Sequence, residues 1–204
     1  MKLVLATKNN GKVDEYKSLL ADLDVNLSSL LDLNDLPDVI EDGSTFLENA
    51  IKKAKEISSA TGAFVMADDS GLVVDALGGA PGIHSARYSG VDGDGKYAAN
   101  NEKLLKEMKG VPEEKRTARF VCVIAIVSPS GDVYSAEGRC EGKIGHILTG
   151  EGGFGYDPLF YLPEYDKTMA ELSMEEKNKI SHRGLALQKI YEILVEILSK
   201  KGNT

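Results

Sequence analysis

Short apolar runs of strand length alternate along this chain with stretches whose apolar residues recur at helical spacing. Residues 2–6 (KLVLA) form the first such run, and residues 12–20 then set Val13, Tyr16, Leu19 and Leu20 on one side of a helix. A second strand is expected over 25–30, followed by the acidic loop LNDLPDVIEDGS, which Pro37 and Gly43 punctuate. A helix is expected over 45–60. The run AFVMA at 63–67, between Gly62 and Asp-Asp-Ser-Gly, reads as a buried strand that ends in a tight turn. Residues 76–95 are rich in glycine and aspartate and read as a long ordered loop, with a helix resuming over 96–108. β-branched and alternating residues over 117–128 and 132–141, separated by Pro-Ser-Gly, predict a hairpin. After the glycine-rich loop TGEGGFGYDPLF, residues 185–198 carry Leu187, Ile190, Leu194 and Ile197 at helical spacing, with Lys200, Lys201 and Gly202 closing the helix. Strands and helices interleave, yet the hairpin is not a crossover unit. The expectation is therefore a mixed α/β (α+β) domain rather than a purely doubly wound one.

The length of 204 residues, with 42% apolar and 27% charged residues, suits one domain spanning 1–204, with its own core. No run approaches the roughly 20 apolar residues that cross a bilayer, and MKLVLATKNN lacks the core of a signal peptide, so a cytoplasmic protein without a membrane partner is expected. Cys122 and Cys140 lie in strand-like segments with no metal-ligand spacing, and no disulfide is expected. A net charge of −8 repels polyanions and argues against a nucleic-acid partner. A polyphosphate ligand would need locally gathered cations and a metal to offset the chain's own carboxylates.

Four segments meet that requirement. Thr7, Lys8, Asn9, Asn10, Gly11 and Lys12 lie between the first strand and the first helix, where backbone N–H groups at the helix N-terminus and two lysines can cradle phosphate; a capped, solvated turn is the plainer alternative. The spacing is not that of a Walker loop. Asp68 and Asp69 follow a buried strand. Side chains of adjacent extended residues point oppositely, so one carboxylate faces a given cleft while the other orients the loop. One can hold magnesium, which needs only one or two protein carboxylates beside substrate phosphates, with Glu41 or Asp42 supplying the second. Phe154, Gly155, Tyr156 and Asp157 offer a stacking face and an acceptor, or alternatively a plug for a core edge. Lys177, Lys179, His182 and Arg183 gather before the last helix, where Ser181 is a good N-cap; cations in a first turn oppose the helix dipole unless an anion meets them.

Taken together, ATKNNGKVDE, TFLENAIKKA, ADDSGLVVDALGGAPGIHSARYSG, FGYDPLF and SHRGLAL, in that order over nearly the whole chain, resemble the inosine triphosphate pyrophosphatase (Ham1) family of non-canonical purine NTP pyrophosphatases. The resemblance implies an elongated mixed sheet flanked by helices, two lobes around a nucleotide cleft, a homodimer and dependence on Mg2+. It implies that Thr7 to Lys12, Lys53 and Ser70 contact the triphosphate. Asp69 is implied as catalytic proton acceptor and metal ligand, with Glu41 the second metal-associated acid and Asp68 in support. Phe154 to Asp157 correspond to the base and ribose segment, and Lys177, His182 and Arg183 to the groups that read the purine 6-oxygen. The expected activity is hydrolysis of ITP, dITP and XTP to the monophosphate and pyrophosphate, with Asp69 acting on the water directly or with the metal's help. A house-cleaning enzyme for another nucleotide, or a non-catalytic nucleotide-binding module, are the rivals. The acids argue against the module, because a mere binder gains nothing by repelling phosphate.

Overall fold

The computed structural model describes residues 1–33, 36 and 38–201; Pro37 and Gly202, read above as punctuation, lie outside them. Its elements run β1 (Lys2–Leu5), α1 (Asn10–Leu19), β2 (Asn26–Ser29), α2 (Phe46–Thr61), β3 (Phe64–Val74), α3 (Lys96–Glu107), β4 (Thr117–Val127), β5 (Val133–Ile144), β6 (Phe160–Leu162), β7 (Lys167–Thr168), α4 (Met174–Ile180) and α5 (His182–Lys201). The seven strands form one mixed sheet in the order β2-β1-β3-β4-β5-β6-β7. β1 pairs in parallel with β2 and β3, whereas β5, β6 and β7 pair antiparallel. No helix among the described residues is long and apolar enough to cross a membrane.

The chain divides into two compact units. The first comprises Met1–Asp69, Cys122–Gly138 and the chain from Leu185 on. β1 after Lys2 and β3 as far as Ala67 are apolar on both faces because each face is covered. Leu3, Leu5, Phe64 and Met66 pack with Val13, Tyr16 and Leu20 around α1 and with Leu187, Ile190, Leu194 and Ile197 of α5. The alternate residues Val4, Ala6, Val65 and Ala67 pack with Ala54 and Ile57 of α2. The second unit comprises Ser70–Val121 and Arg139–Gly184. Its core joins Leu72 and Val74 to Leu104 and Met108 of α3, Phe120, Tyr156, Phe160 and Met169.

Most predicted elements are present with ends shifted by a few residues. Two expectations need correction. Asp-Asp-Ser-Gly is not a turn: β3 runs through it to Val74. Aspartate, serine and glycine favour turns when nothing else holds the backbone, but here the strand continues into Leu72 and Val74, both fully buried in the second unit's core. The basic segment before the last helix contains a further helix, α4, and α5 begins at His182 rather than 185. A signal for α4 was present: Ser173 and Glu176 form a reciprocal capping box, with the Ser173 hydroxyl accepting from the Glu176 N–H and the Glu176 carboxylate accepting from the Ser173 N–H at 2.7 Å.

Candidate active site

In the first unit the chemistry sits in the middle of β3, at Asp68 and Asp69. Alternation along that strand continues past the core, so Asp68 follows Phe64 and Met66 onto the α1 face while Asp69 follows Val65 and Ala67 onto the α2 face. Each acid meets a different partner there. Lys12, in the first turn of α1, donates to Asp68 Oδ2 at 2.6 Å. Asn49 of α2, itself buried, donates to Asp69 Oδ2 at 2.9 Å while its own oxygen accepts from the Gly43 N–H at 2.7 Å. Lys53, one helical turn beyond Asn49, donates to the Asp68 carbonyl at 2.9 Å and pairs with Glu41. The acidic loop, α2 and β3 are thus tied together through one amide and one ammonium.

These contacts set the charges. Burial raises the pKa of Asp69 above the ordinary carboxylate range; the Asn49 hydrogen bond opposes this, and the neighbouring Glu41 charge reinforces it. Burial disfavours the Lys53 ammonium, but Asp68 and Glu41 outweigh it and hold the lysine pKa above its usual value. The alternatives left open for the second acid separate here. Asp42 pairs at 2.6 Å with Lys52, whereas Glu41 pairs with Lys53 and acts on Asp69.

The loop before α1 is pre-shaped. Thr7 Oγ1 accepts from the Asn9 N–H at 3.1 Å, and the Asn9 side chain caps the helix by accepting from the Lys12 N–H at 3.2 Å. Asn10 and Gly11 open the helix, whose first turn carries no acid. Such an N-terminus attracts anions. Lys8 instead lies exposed and pairs with Asp38 at 2.8 Å.

Within the described residues no group of three or more His, Cys, Asp or Glu side chains gathers as a ready-made cation site. Magnesium does not need one. Glu41 and Asp69 supply hard carboxylate oxygens, and a cation would offset the Glu41 charge that adds to the effect of burial on Asp69. The residues present fit that ion.

In the second unit Ser70 is half-buried on β3, and the glycine-rich loop 150–157 faces α3 and α4. Phe154 is exposed. Tyr156 is not a stacking face: its ring lies in the core and its hydroxyl donates to the Ser85 carbonyl at 2.8 Å. Of these aromatics, Phe154 leaves its ring exposed and Tyr156 is the core plug. The Gly155 carbonyl accepts from Asn101 at 2.9 Å. Asp157 Oδ2 accepts from the Phe154 N–H and from Lys177 of α4, both at 3.2 Å. Burial raises the Asp157 pKa, while Lys177, the Phe154 N–H and Arg183 pull it down. The Asp157 charge eases the conflict between Arg183 and the helix dipole, the two acting on each other through space. Arg183 lies 5.6 Å from the Phe154 ring centroid, and His182 stacks on Phe120 at 4.8 Å. Ser181 Oγ accepts from the Gly184 N–H at 3.1 Å, the cap expected of it.

Asn49 and Asn101 were not singled out from the sequence. For Asn49 the available signal was its spacing of four from Lys53, which puts both on one face of α2; for Asn101 we see none.

A mixed α/β sheet that delivers a buried acid between lysines, on a chain that also presents an exposed aromatic beside clustered cations, defines a nucleotide-handling enzyme. The comparisons with known proteins agree. The Ham1 family model matches residues 3–193, and the chain belongs to that family. It is 57% identical over 194 residues to a dITP/XTP pyrophosphatase of Desulforamulus reducens, covering 95% of this chain and 96% of that one. It is 56% identical over 202 residues to a dITP/XTP pyrophosphatase of Geobacillus kaustophilus, covering 99% and 98%. Among solved structures, a HAM1 protein from Coxiella burnetii superposes with a TM-score of 0.89 at 40% identity, covering 96% of this chain and 99% of that one. The Ham1 protein of Staphylococcus aureus gives 0.87 at 43%, with the same coverage.

Proposed function

We propose that this chain hydrolyses ITP, dITP and XTP to the nucleoside monophosphate and pyrophosphate, removing non-canonical purines from the nucleotide pool. The observation that carries the reading is the buried Asp69, its pKa raised, on a strand whose neighbouring Asp68 holds Lys12 and Lys53 in readiness. The names of the relatives supply the substrate class.

Water attacks the α-phosphorus, the bond from that phosphorus to the bridging oxygen of the β-phosphate breaks, and the water's proton passes to Asp69. A carboxylate with a raised pKa is a stronger base than an ordinary one. Lys12 and Lys53 exchange their carboxylate and carbonyl partners for phosphate oxygens and so neutralise charge that grows on the departing pyrophosphate. The N-terminus of α1, with Thr7, Asn9, Asn10 and Gly11, and the Ser70 hydroxyl supply neutral donors, and Lys8 adds an exposed cation. Glu41 and Asp69 would hold magnesium, which would supply further charge neutralisation.

Phe154 stacks on the purine, and Lys177 and Arg183, with His182 beside them, meet the 6-oxygen. Adenine presents an amino donor there and leaves those cations unmatched, a mismatch worth roughly 10²-fold or more in discrimination. The family resemblance also implies a homodimer, which light scattering checks.

The deciding experiment is product analysis with ITP, XTP, GTP and ATP, with and without EDTA. Monophosphate plus pyrophosphate from ITP and XTP, abolished by EDTA, is the expected result. Diphosphate plus orthophosphate, or ATP as the preferred substrate, would refute the reading.

A further inference from the structure

Two α3 residues lie against the base loop. Tyr97, in the first turn of α3, has its ring centroid 6.4 Å from that of Phe154, the planes tilted by 45°. Asn101, four residues on and therefore on the same helix face, donates its side-chain amide to the Gly155 carbonyl at 2.9 Å. Further along that face Leu104 and Met108 are fully buried in the second unit's core, so the helix is anchored and cannot follow the loop. The neighbouring Asn100 donates to the Ser85 carbonyl, the same oxygen that accepts from the Tyr156 hydroxyl. The loop is thereby held to α3 at Phe154 and Gly155, and Tyr156 shares the Ser85 carbonyl with Asn100.

We infer that Tyr97 and Asn101 are positioning residues that fix the pose of Phe154, and through it the affinity for the purine base; this rests on the function proposed above. The geometry separates buttressing from direct stacking. A base intercalated between two parallel rings needs about 7 Å between their centroids, two stacking distances of roughly 3.5 Å. At 6.4 Å and 45° the rings of Tyr97 and Phe154 are already in edge contact and leave no such slot. Tyr97 therefore acts on the base through Phe154. Asn101 is 4% exposed, and its amide oxygen is buried without a hydrogen-bond partner in the structure, so the residue retains a polar group at a cost while donating to one backbone oxygen of the base loop. A residue serving only the core at that position would be better as leucine.

The test is steady-state kinetics of full-length Tyr97→Ala, Tyr97→Phe, Phe154→Ala and the double variant with ITP, alongside inhibition by inorganic tripolyphosphate, which has no base. Tyr97 is partly exposed, so its truncation leaves the fold intact. An aromatic pair of this kind supports a rise of about 3- to 10-fold in KM for Tyr97→Ala, with kcat and tripolyphosphate inhibition unchanged and Tyr97→Phe close to wild type. In the Phe154→Ala background the Tyr97→Ala change should add nothing, which a merely structural role would not produce. Asn101→Leu should raise KM in the same direction. Equal KM in wild type and Tyr97→Ala, or an undiminished Tyr97 effect when Phe154 is gone, overturns the inference. Absence of ITP turnover by the wild type would instead sink the proposed function.

Discussion

Two glycines in the base loop offer a controlled perturbation, because they share a backbone cost and differ in one contact. Gly153 (φ +78°) and Gly155 (φ +64°) both occupy the left-handed region, where a Cβ costs about 1–2 kcal/mol. Around Gly155 an added Cβ would meet nothing within 4 Å. At Gly153 it would fall on Asp157 Oδ2 and come within 2.5 Å of Lys177 Nζ. Gly153→Ala must therefore displace the carboxylate from both the Phe154 N–H and Lys177, whose side chains in the pair are only 11% and 12% exposed. Deleting one partner of a buried pair costs about 3–5 kcal/mol; displacement leaves both charges some access to water, so roughly 1.5–3 kcal/mol is expected. Thermal denaturation and ITP kinetics read the two parts separately. Gly155→Ala should lower Tm by about 2–8 °C and leave kcat/KM within about 3-fold. Gly153→Ala should lose as much stability or more and, in addition, 10- to 100-fold in kcat/KM, chiefly through KM. If the two variants matched in kcat/KM, the Lys177–Asp157 pair would have no part in reading the base.

Asp69→Asn should reduce turnover by about 10²- to 10⁴-fold while raising stability at neutral pH by about 0.5–2 kcal/mol, measured by denaturant titration; unchanged turnover would refute the base assignment. Because the folded pKa of Asp69 lies above the ordinary 3.8, the native state binds more protons than the unfolded one in that window, so this group's contribution is fully present below 3.8 and lost as pH rises through the folded value. Wild-type stability should consequently fall relative to Asp69→Asn over that interval, and parallel curves would contradict it. Adding Mg2+ should raise the Tm of the wild type but not of Glu41→Gln combined with Asp69→Asn; an equal rise in both would place the ion elsewhere. Lys53→Met removes the ammonium that pairs with Glu41 and donates to the Asp68 carbonyl and should cut kcat on ITP by about 10-fold or more, with Lys52→Met, whose partner Asp42 is exposed, near wild type.

Much of this was legible in the residues themselves. The apolar runs of β1 and β3, the helical spacing of α5 and the cap at Ser181 are short-range properties, set by side-chain period and hydrogen bonding within a few residues, and they survive into the structure. The placement of Asp68 and Asp69 on opposite faces also follows from strand geometry alone. Other features depend on partners far along the chain. Asp-Asp-Ser-Gly has turn chemistry locally, yet it lies in the middle of an extended strand, because the residues that follow it are buried. Glu41 and Asp42 are adjacent acids in one loop, and packing decides which lysine of α2 each one reaches and that Glu41 acts on Asp69. Phe154 and Tyr156 share a glycine-rich context, but only tertiary packing puts one ring in solvent and the other in the core. Local propensity decides what most segments are; burial and pairing between distant segments decide where a strand continues against it, which acids have raised pKa values, which aromatic is exposed and which partners Asn49 and Asn101 meet.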